Sequence, residues 1–373
     1  MTSNSRWLKK RLGLVFLLMV LAGLLAPMSS SAQPAAGNTA IAPAIDYDAV
    51  VRPYVQQGRF MGAVLVASQG KVLFSRGYGA ANLEWDVANT PLTKFRIGSV
   101  TKQFTAAAVL LLEQDGKLRL KDRVSAHWPQ APAAWKDITV FHLLTHTSGI
   151  PNYTAFPEFA SLQVFDTPVE KIVEGMRNRP LDFTPGSKYD YSNSGYVLLG
   201  WLIERISGQR YGDFVRDRIF EPLGMQDSGY DSNTAIIERR AAGYERRRDQ
   251  PLANAGFVHM STPHAAGALY STAEDLLRWA QGLFGGTLLS AESLKKMTTP
   301  YKGGYALGLE VKQVDGHEVI EHDGAIDGFD SFLSYYPAQK VVVIVLSNVA
   351  GGRRMGDITR ELAALAVGRG EQP

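Results

Sequence analysis

Ser99 and Lys102 stand three residues apart, and on a helix that spacing sets two side chains about 60° apart around the axis, close enough to touch. A serine hydroxyl with such a neighbour is a candidate nucleophile. Burial and the positive end of a helix dipole both disfavour an ammonium, so a desolvated Lys102 can accept the serine proton as a neutral amine. The same pair also fits an N-cap serine followed by a solvated lysine, because S-x-x-K recurs by chance in unrelated chains. A second cluster is Tyr191-Ser192-Asn193. A loop tyrosine just ahead of a helix can aim its phenol into a cleft and move a proton between nucleophile and leaving group. Equally, Tyr191 is a packed aromatic with a satisfied hydroxyl and Asn193 a helix cap. The third is His322-Asp323-Gly324-Ala325. Glycine beside a strand lets another backbone or a ligand come close, and the Ala325 amide can then point into a cleft as an oxyanion donor. An exposed histidine at a surface strand end is the other possibility.

These residues need elements to hold them. Phe104, Ala107, Ala108, Leu111 and Leu112 follow the i, i+3, i+4, i+7, i+8 spacing after Gly98-Ser99, with Gly116 as a C-terminal cap. Val109 and Leu110 fill the remaining faces, which predicts a buried helix. A second helix is expected over 194–207, ended by Gly208, with the turn Pro185-Gly186 ahead of Tyr191. Near the start, residues 47–59 read as a helix, and 62–68 and 72–78 as strands joined by a hairpin at Gln69-Gly70-Lys71. Near the end, 318–322, 331–336 and 341–346 are short β-rich runs before a helix over 356–367. The expected architecture is therefore α/β in content (α+β), with an antiparallel sheet built from residues 46–98 and 268–373 and flanked by helices. A mainly helical domain, 99–267, is inserted and carries the nucleophile helix.

The 373 residues are 45% hydrophobic and 20% charged, the balance of a globular chain with ample apolar side chains for a core. The net charge is +3, too small and too evenly spread for a nucleic-acid surface. Arg6, Lys9, Lys10 and Arg11 account for that excess and precede an apolar run over 12–26 and the small residues Ser30-Ser31-Ala32. This is the pattern of a secretory signal peptide, 1–32, cleaved after Ala32, and it predicts a periplasmic or secreted protein with a flexible leader over 33–45. The apolar run falls short of the ~20 residues of a spanning helix, so no stable membrane span is expected after cleavage. With no cysteine, disulfides and thiolate metal sites are excluded. His317 and His322 nearly match zinc-protease patterns, but five residues apart they lie ~140° apart on a helix and on opposite faces of a strand, so no metal is expected. No G-x-S-x-G is present, and Gly77-Tyr78-Gly79 lacks the third glycine of a nucleotide loop. His142 and His146 are read as structural.

In the order S-x-x-K, Y-x-N, H-x-G, the three clusters resemble the serine β-lactamase and penicillin-binding-protein superfamily, and its branch of class C β-lactamases, D-alanyl-D-alanine carboxypeptidases, D-aminopeptidases and esterases. Segments 143–149, 191–196, 221–225 and 271–276 are also similar to family segments, and the resemblance runs from about Tyr47 to the C-terminus. It implies a β-lactamase/transpeptidase-like fold and an acyl-enzyme mechanism without cofactor. Ser99 would be the nucleophile, Lys102 its proton acceptor, Tyr191 the shared acid/base, and Asn193 a partner for substrate and Lys102. His322 would assist substrate or proton placement, Gly324 would admit substrate, and the amides of Ser99 and Ala325 would form the oxyanion hole. Where penicillin-recognising members have Lys-Thr-Gly, this chain has His-Asp-Gly. An ionised Asp323 repels a substrate carboxylate, so a neutral ester, amide or D-amino-acid peptide is favoured as substrate over a β-lactam. A D-alanyl-D-alanine carboxypeptidase or a class C-type β-lactamase is the alternative enzyme. A non-catalytic cell-wall binding or scaffold protein is the alternative of another class.

Overall fold

The computed structural model describes residues 45–246, 250–351 and 355–368. The expected signal peptide and nearly all of the leader lie outside the described residues. Helix α1 (Asp48–Gln56) leads into strands β1 (Gly62–Ser68) and β2 (Lys71–Tyr78). Gln69 and Gly70 both have positive φ, 50° and 80°, which suits a two-residue hairpin loop. Three helices follow: α2 (Thr101–Gln114) and α3 (Asn193–Ser207), which hold Lys102 and Asn193, and α4 (Ala273–Phe284), which packs on α2. Strands β3 (Glu310–Val314), β4 (His317–Ile326), β5 (Phe329–Tyr336) and β6 (Val341–Ser347) and helix α5 (Met355–Gly368) complete the frame.

The six strands form one antiparallel sheet in the order β3-β4-β5-β6-β1-β2. The two chain ends therefore meet inside it, where β1 and β6 pair with Leu65 opposite Ile344. Both of these interior strands are apolar runs rather than alternating ones, Gly62–Ser68 and Val341–Ser347, because both faces of the sheet are covered. Val64, Val66, Val343 and Val345 pack against α1 and α5, while Leu65, Leu333, Ile344 and Leu346 join the larger core with α2, α3 and α4.

Two differences from the sequence expectation bear on the site. The His322-Asp323-Gly324 motif is not at the end of a short strand over 318–322: β4 runs ten residues, so the motif lies inside it and pairs with β5, His322 opposite Leu333 and Gly324 opposite Ser331. The edge strand β3 was not anticipated. Its polar Glu310, Lys312 and Gln313, the last two exposed, show no apolar alternation, as an edge facing solvent permits. Elsewhere α1 ends at Gln56, just short of Gly58 with φ 61°.

The boundaries drawn at 98 and 268 fall beside a hydrogen-bonded crossing, since Phe95–Arg96 pairs with Leu269–Ser271. From Ile45 onward the chain is one compact unit, and the larger apolar cluster runs unbroken from the sheet into the helices.

Candidate active site

Helix α2 is buried on every face from Thr101 to Leu112, and Phe104 stacks on Trp279 of α4 at 4.1 Å between ring centroids. A helix held this way cannot shift without opening the core, so its first turn is a rigid platform. Ser99 sits in the 3-10 turn Gly98–Val100 that begins it, half-buried. Lys102, one turn on, is fully buried.

The Lys102 Nζ lies 2.9 Å from Ser99 Oγ, 2.8 Å from Asn193 Oδ1 and 2.8 Å from the Ala266 carbonyl oxygen. Two of these partners are pure acceptors. A neutral amine has two N–H groups and one lone pair, so the N–H groups go to Asn193 and Ala266 and the lone pair faces the serine O–H. Burial pushes the Lys102 pKa well below its usual value, with Asp323 pulling weakly the other way. The three distances fit either protonation state, and burial favours the amine.

Asn193 is held by α3, whose first residue it is; Ser192 occupies the N-cap position and Gly208, with φ 75°, ends the helix. The Asn193 side chain is therefore turned to Lys102 rather than spent as a cap. Tyr191 precedes it, and its hydroxyl shares a hydrogen bond with Ser99. Burial raises its pKa strongly and the Ser99 bond only partly offsets this, so at neutral pH it is a phenol. Lys102 Nζ stands 4.9 Å from the centre of the Tyr191 ring and 5.5 Å from that of Tyr196.

Behind Tyr191 lies His146, which sequence reasoning set aside as structural. Its ring stacks on Tyr191 at 4.2 Å, and its Nδ1 accepts the Ser192 N–H at 3.1 Å, fixing the backbone that carries Tyr191. Burial, Lys102 and His322 hold it neutral. Its φ of 54° is unusual for a histidine and was not legible from spacing.

The β4 motif meets the serine turn by close backbone approach. A Cβ on Gly324 would lie 2.2 Å from the Ile97 carbonyl oxygen and 3.0 Å from the Ser99 nitrogen; one on Gly98, whose φ is 46°, would lie 2.9 Å from the Ala325 nitrogen. Ser331 Oγ clamps the same turn by donating to the Ile97 carbonyl at 2.8 Å. The amides of Ser99 and Ala325 are thereby set beside one another.

His322 is brought near but not into the opening. It is buried, its Nδ1 donates to its neighbour's carbonyl at Asp323, and its Nε2 lies 2.9 Å from the Tyr305 hydroxyl. Both ring nitrogens are used within the protein, and burial and Lys102 lower its pKa. His317 faces the other side of β4, where it meets Gln339. The Asp323 side chain is exposed, close enough to act electrostatically on Lys102, Tyr191 and His322.

A cavity of about 170 Å³ opens on this cluster. Ser99, Asn193 and Ala325 line it on one side and Tyr153, Phe159 and Val258 on another. It also reaches Asp327, at the β4–β5 turn, a residue that the motif search passed over although Asp-Gly before a strand is a hairpin signal. A larger cleft of about 730 Å³, around Tyr230, His264 and Tyr270, does not include Ser99. It sits behind the helical turn His264–Gly267 that presents the Ala266 carbonyl to Lys102.

The Beta-lactamase family matches residues 47–368 of this chain. A putative penicillin-binding protein, PbpX, of Bacillus subtilis (strain 168) is 28% identical over 323 residues, covering 86% of this chain and 79% of that protein. Among solved structures, a penicillin-binding protein from Bacillus halodurans superposes with a TM-score of 0.76 at 26% identity, over 86% of this chain and 99% of that one. A D-stereospecific amidohydrolase from Streptomyces sp. is similar at a TM-score of 0.71 and 27% identity, over 82% and 95%.

Proposed function

From the premise that this chain belongs to the Beta-lactamase family and is a serine hydrolase, we propose that it is an exported acyl-transfer enzyme with Ser99 as nucleophile, acting on an ester, an amide or a D-amino-acid peptide. The observation that carries this is the buried Lys102 Nζ, 2.9 Å from Ser99 Oγ and held at 2.8 Å by the Asn193 and Ala266 oxygens, with burial pushing it toward the neutral form that can take the serine proton.

In the reaction Ser99 gives its proton to Lys102 as Oγ attacks the substrate carbonyl. The oxyanion that forms is met by the Ser99 and Ala325 amides, a reading supported by the close approach of Gly98 and Gly324 at that turn. Tyr191, bonded to Ser99 and still protonated, gives its proton to the leaving group, and the proton on Lys102 restores the phenol. Water then enters and attacks the acyl carbonyl, the same groups take its proton and return it to Ser99 Oγ as the C–Oγ bond breaks, and the acid product leaves. Asn193 and the Ala266 carbonyl orient the amine throughout. His146 and His322 act through Tyr191 and the strand and are positioning residues. The export part of the proposal rests on residues 1–32 of the sequence.

A substrate carboxylate finds little to hold it. No lysine or arginine lines the cavity among the described residues, and the exposed Asp323, two residues before Ala325 on β4, acts electrostatically on Lys102 and Tyr191. This favours neutral esters, amides and peptides over β-lactams and over peptides recognised by their free carboxyl end. The test is the intact mass of the mature protein after brief exposure to an activated acetyl ester and, separately, to a penicillin. One acetyl adduct on the wild type and none on Ser99→Ala is the expected result. A folded wild type that gains no mass would refute the acyl-enzyme mechanism and leave the cell-wall scaffold in its place. A penicillin adduct would instead restore the carboxypeptidase or β-lactamase alternative.

A further inference from the structure

The helical turn His264–Gly267 borders two spaces: Ala266 and Gly267 line the Ser99 cavity, and His264 lines the larger cleft. It begins in an unfavourable conformation. His264 has φ 40°, a left-handed value that is uncommon for any residue with a Cβ and persists only where the surroundings hold it. Those surroundings grip its ring, which is buried with its centroid 5.3 Å from that of Tyr211 and 6.0 Å from that of Tyr230. It rests on α3 where Gly200 leaves room: a Cβ there would lie 2.6 Å from His264 Nδ1 and 2.4 Å from the Ala265 Cβ. One turn along α3, Glu204 Oε1 stands 3.5 Å from His264 Nε2 and also accepts the Tyr211 N–H at 2.8 Å. Nδ1 has no hydrogen-bond partner among the described residues, so the ring is held mainly by shape.

The residues that follow are tied to α2. The Ala265 carbonyl accepts the Thr105 hydroxyl at 2.7 Å, and Thr105 Oγ1 is also 2.7 Å from the Tyr211 hydroxyl. The Ala266 carbonyl accepts from Lys102 Nζ at 2.8 Å. Ala265, Ala266 and Gly267 have no side chain beyond Cβ, so within the turn only the His264 ring gives packing a hold on the backbone. The ring fixes the backbone at 264, and that backbone sets the direction of the carbonyl two residues on.

We propose that His264 is a positioning residue for acyl transfer: its ring, wedged against Gly200 and Glu204, holds the turn so that the Ala266 carbonyl meets Lys102. This rests on the acyl-enzyme mechanism through Ser99. His264 does not line the Ser99 cavity and acts through the turn. Without the ring the turn is free to swing, and Lys102 loses an acceptor that serves its ammonium form best. The titratable groups around Lys102, which are Asp323, Tyr191, His146 and His322, are unaltered by a change at 264. A shift in the titration of Lys102 therefore reports on the carbonyl, and its sign is downward, because losing an acceptor disfavours the ammonium.

The experiment measures the rate of acetyl-adduct formation at Ser99 against pH, beside the Tm, for the wild type, His264→Asn, His264→Phe and Gly200→Ala. Asparagine tolerates the left-handed backbone but is too small to fill the space of the ring; phenylalanine keeps a ring and gives up the 3.5 Å contact to Glu204. His264→Asn is expected to acylate about tenfold or more slowly, with the acidic limb of the profile about one pH unit lower. His264→Phe is expected to restore most of the rate and the wild-type limb. Gly200→Ala crowds the ring and Ala265 from α3 with His264 intact, and is expected to reproduce the slowing and the shift. A His264→Asn protein with a lower Tm but the wild-type rate and limb has lost only a structural contact, which overturns the assignment. Wild-type kinetics from Gly200→Ala, or a His264→Phe no better than His264→Asn, overturns it as well. If the wild type forms no adduct, the acyl-enzyme mechanism fails; an adduct formed equally fast in every variant removes only the role of His264.

Discussion

Gly324→Ala tests the claim that the site is made by close backbone approach. The added methyl would sit 2.2 Å from the Ile97 carbonyl oxygen, 2.4 Å from Ser331 Oγ and 3.0 Å from the Ser99 nitrogen. Ordinary carbon–oxygen contact is about 3.3 Å or more, so β4 and the serine turn must separate by about 1 Å. The neighbours cannot yield cheaply, because Ile97 and Val100 are buried and Ser331 is bonded to the Ile97 carbonyl. Overpacking of this kind costs about 1–3 kcal/mol of stability. For a chain of this size, at about 2.1 cal/mol/K per residue, that is a fall of about 1–4 °C in Tm. Activity should suffer far more, since a displacement of about 1 Å between nucleophile and oxyanion donors costs on the order of 10²-fold in rate. The assay is the rate of acetyl-adduct formation at Ser99 beside a thermal melt. Gly175→Ala is the control: it lies in the helix Val169–Arg177 with nothing within 4 Å of an added Cβ, and should gain about 0.5–1 kcal/mol without affecting acylation. A Gly324→Ala protein that is acylated at the wild-type rate would refute the reasoning.

Tyr191→Phe keeps the ring stacked on His146 and removes the hydroxyl shared with Ser99, so kcat should fall by about 10²–10⁴ with Tm nearly unchanged; a kcat within threefold of wild type would take the acid/base role from it. Asp323→Asn removes an anion that raises the Lys102 pKa, so the amine form persists to lower pH and the acidic limb of the kcat profile should move to lower pH; a shift to higher pH would contradict the electrostatics. Asp231 is fully buried between Arg96 at 2.6 Å and Arg240 at 2.5 Å, and Asp231→Ala leaves both guanidiniums unpaired, an expected loss of about 3–5 kcal/mol in urea melts. His146 and His322 are buried with lowered pKa values, so the unfolded chain binds protons that the fold does not. Their contribution is intact above about 6.5 and is lost as pH falls below it, by up to about 1.4 kcal/mol per pH unit for each, which stability measured from pH 7.5 to 5 would show.

Local pattern carried the elements whose cause is local. The apolar periodicity after Gly98, the glycine stops at Gly116 and Gly208, and the runs over 62–68 and 341–346 are properties of a few neighbouring residues, and each became the element expected. The β3 edge escaped because its outward face has no hydrophobic partner to impose alternation, and the length of β4 escaped because Asp323 and Gly324 are poor strand residues whose pairing is set by β5.

Ser99, Lys102 and Tyr191, the proposed nucleophile and its partners, were legible as candidates because they belong to short motifs, and types and spacing are what a sequence displays. What spacing does not contain is the distance between motifs far apart in the chain. Lys102 is pushed toward its amine form by burial among elements far apart in the chain, with Asn193, 91 residues later, and Ala266, 164 residues later, accepting hydrogen bonds from its Nζ. His146 supports Tyr191, His322 turns inward to Tyr305, and Asp327 reaches the cavity wall for the same reason: packing brings them together. Residue chemistry is written along the chain, but protonation state and direction depend on burial and on partners, and those exist only once the sheet and helices have closed.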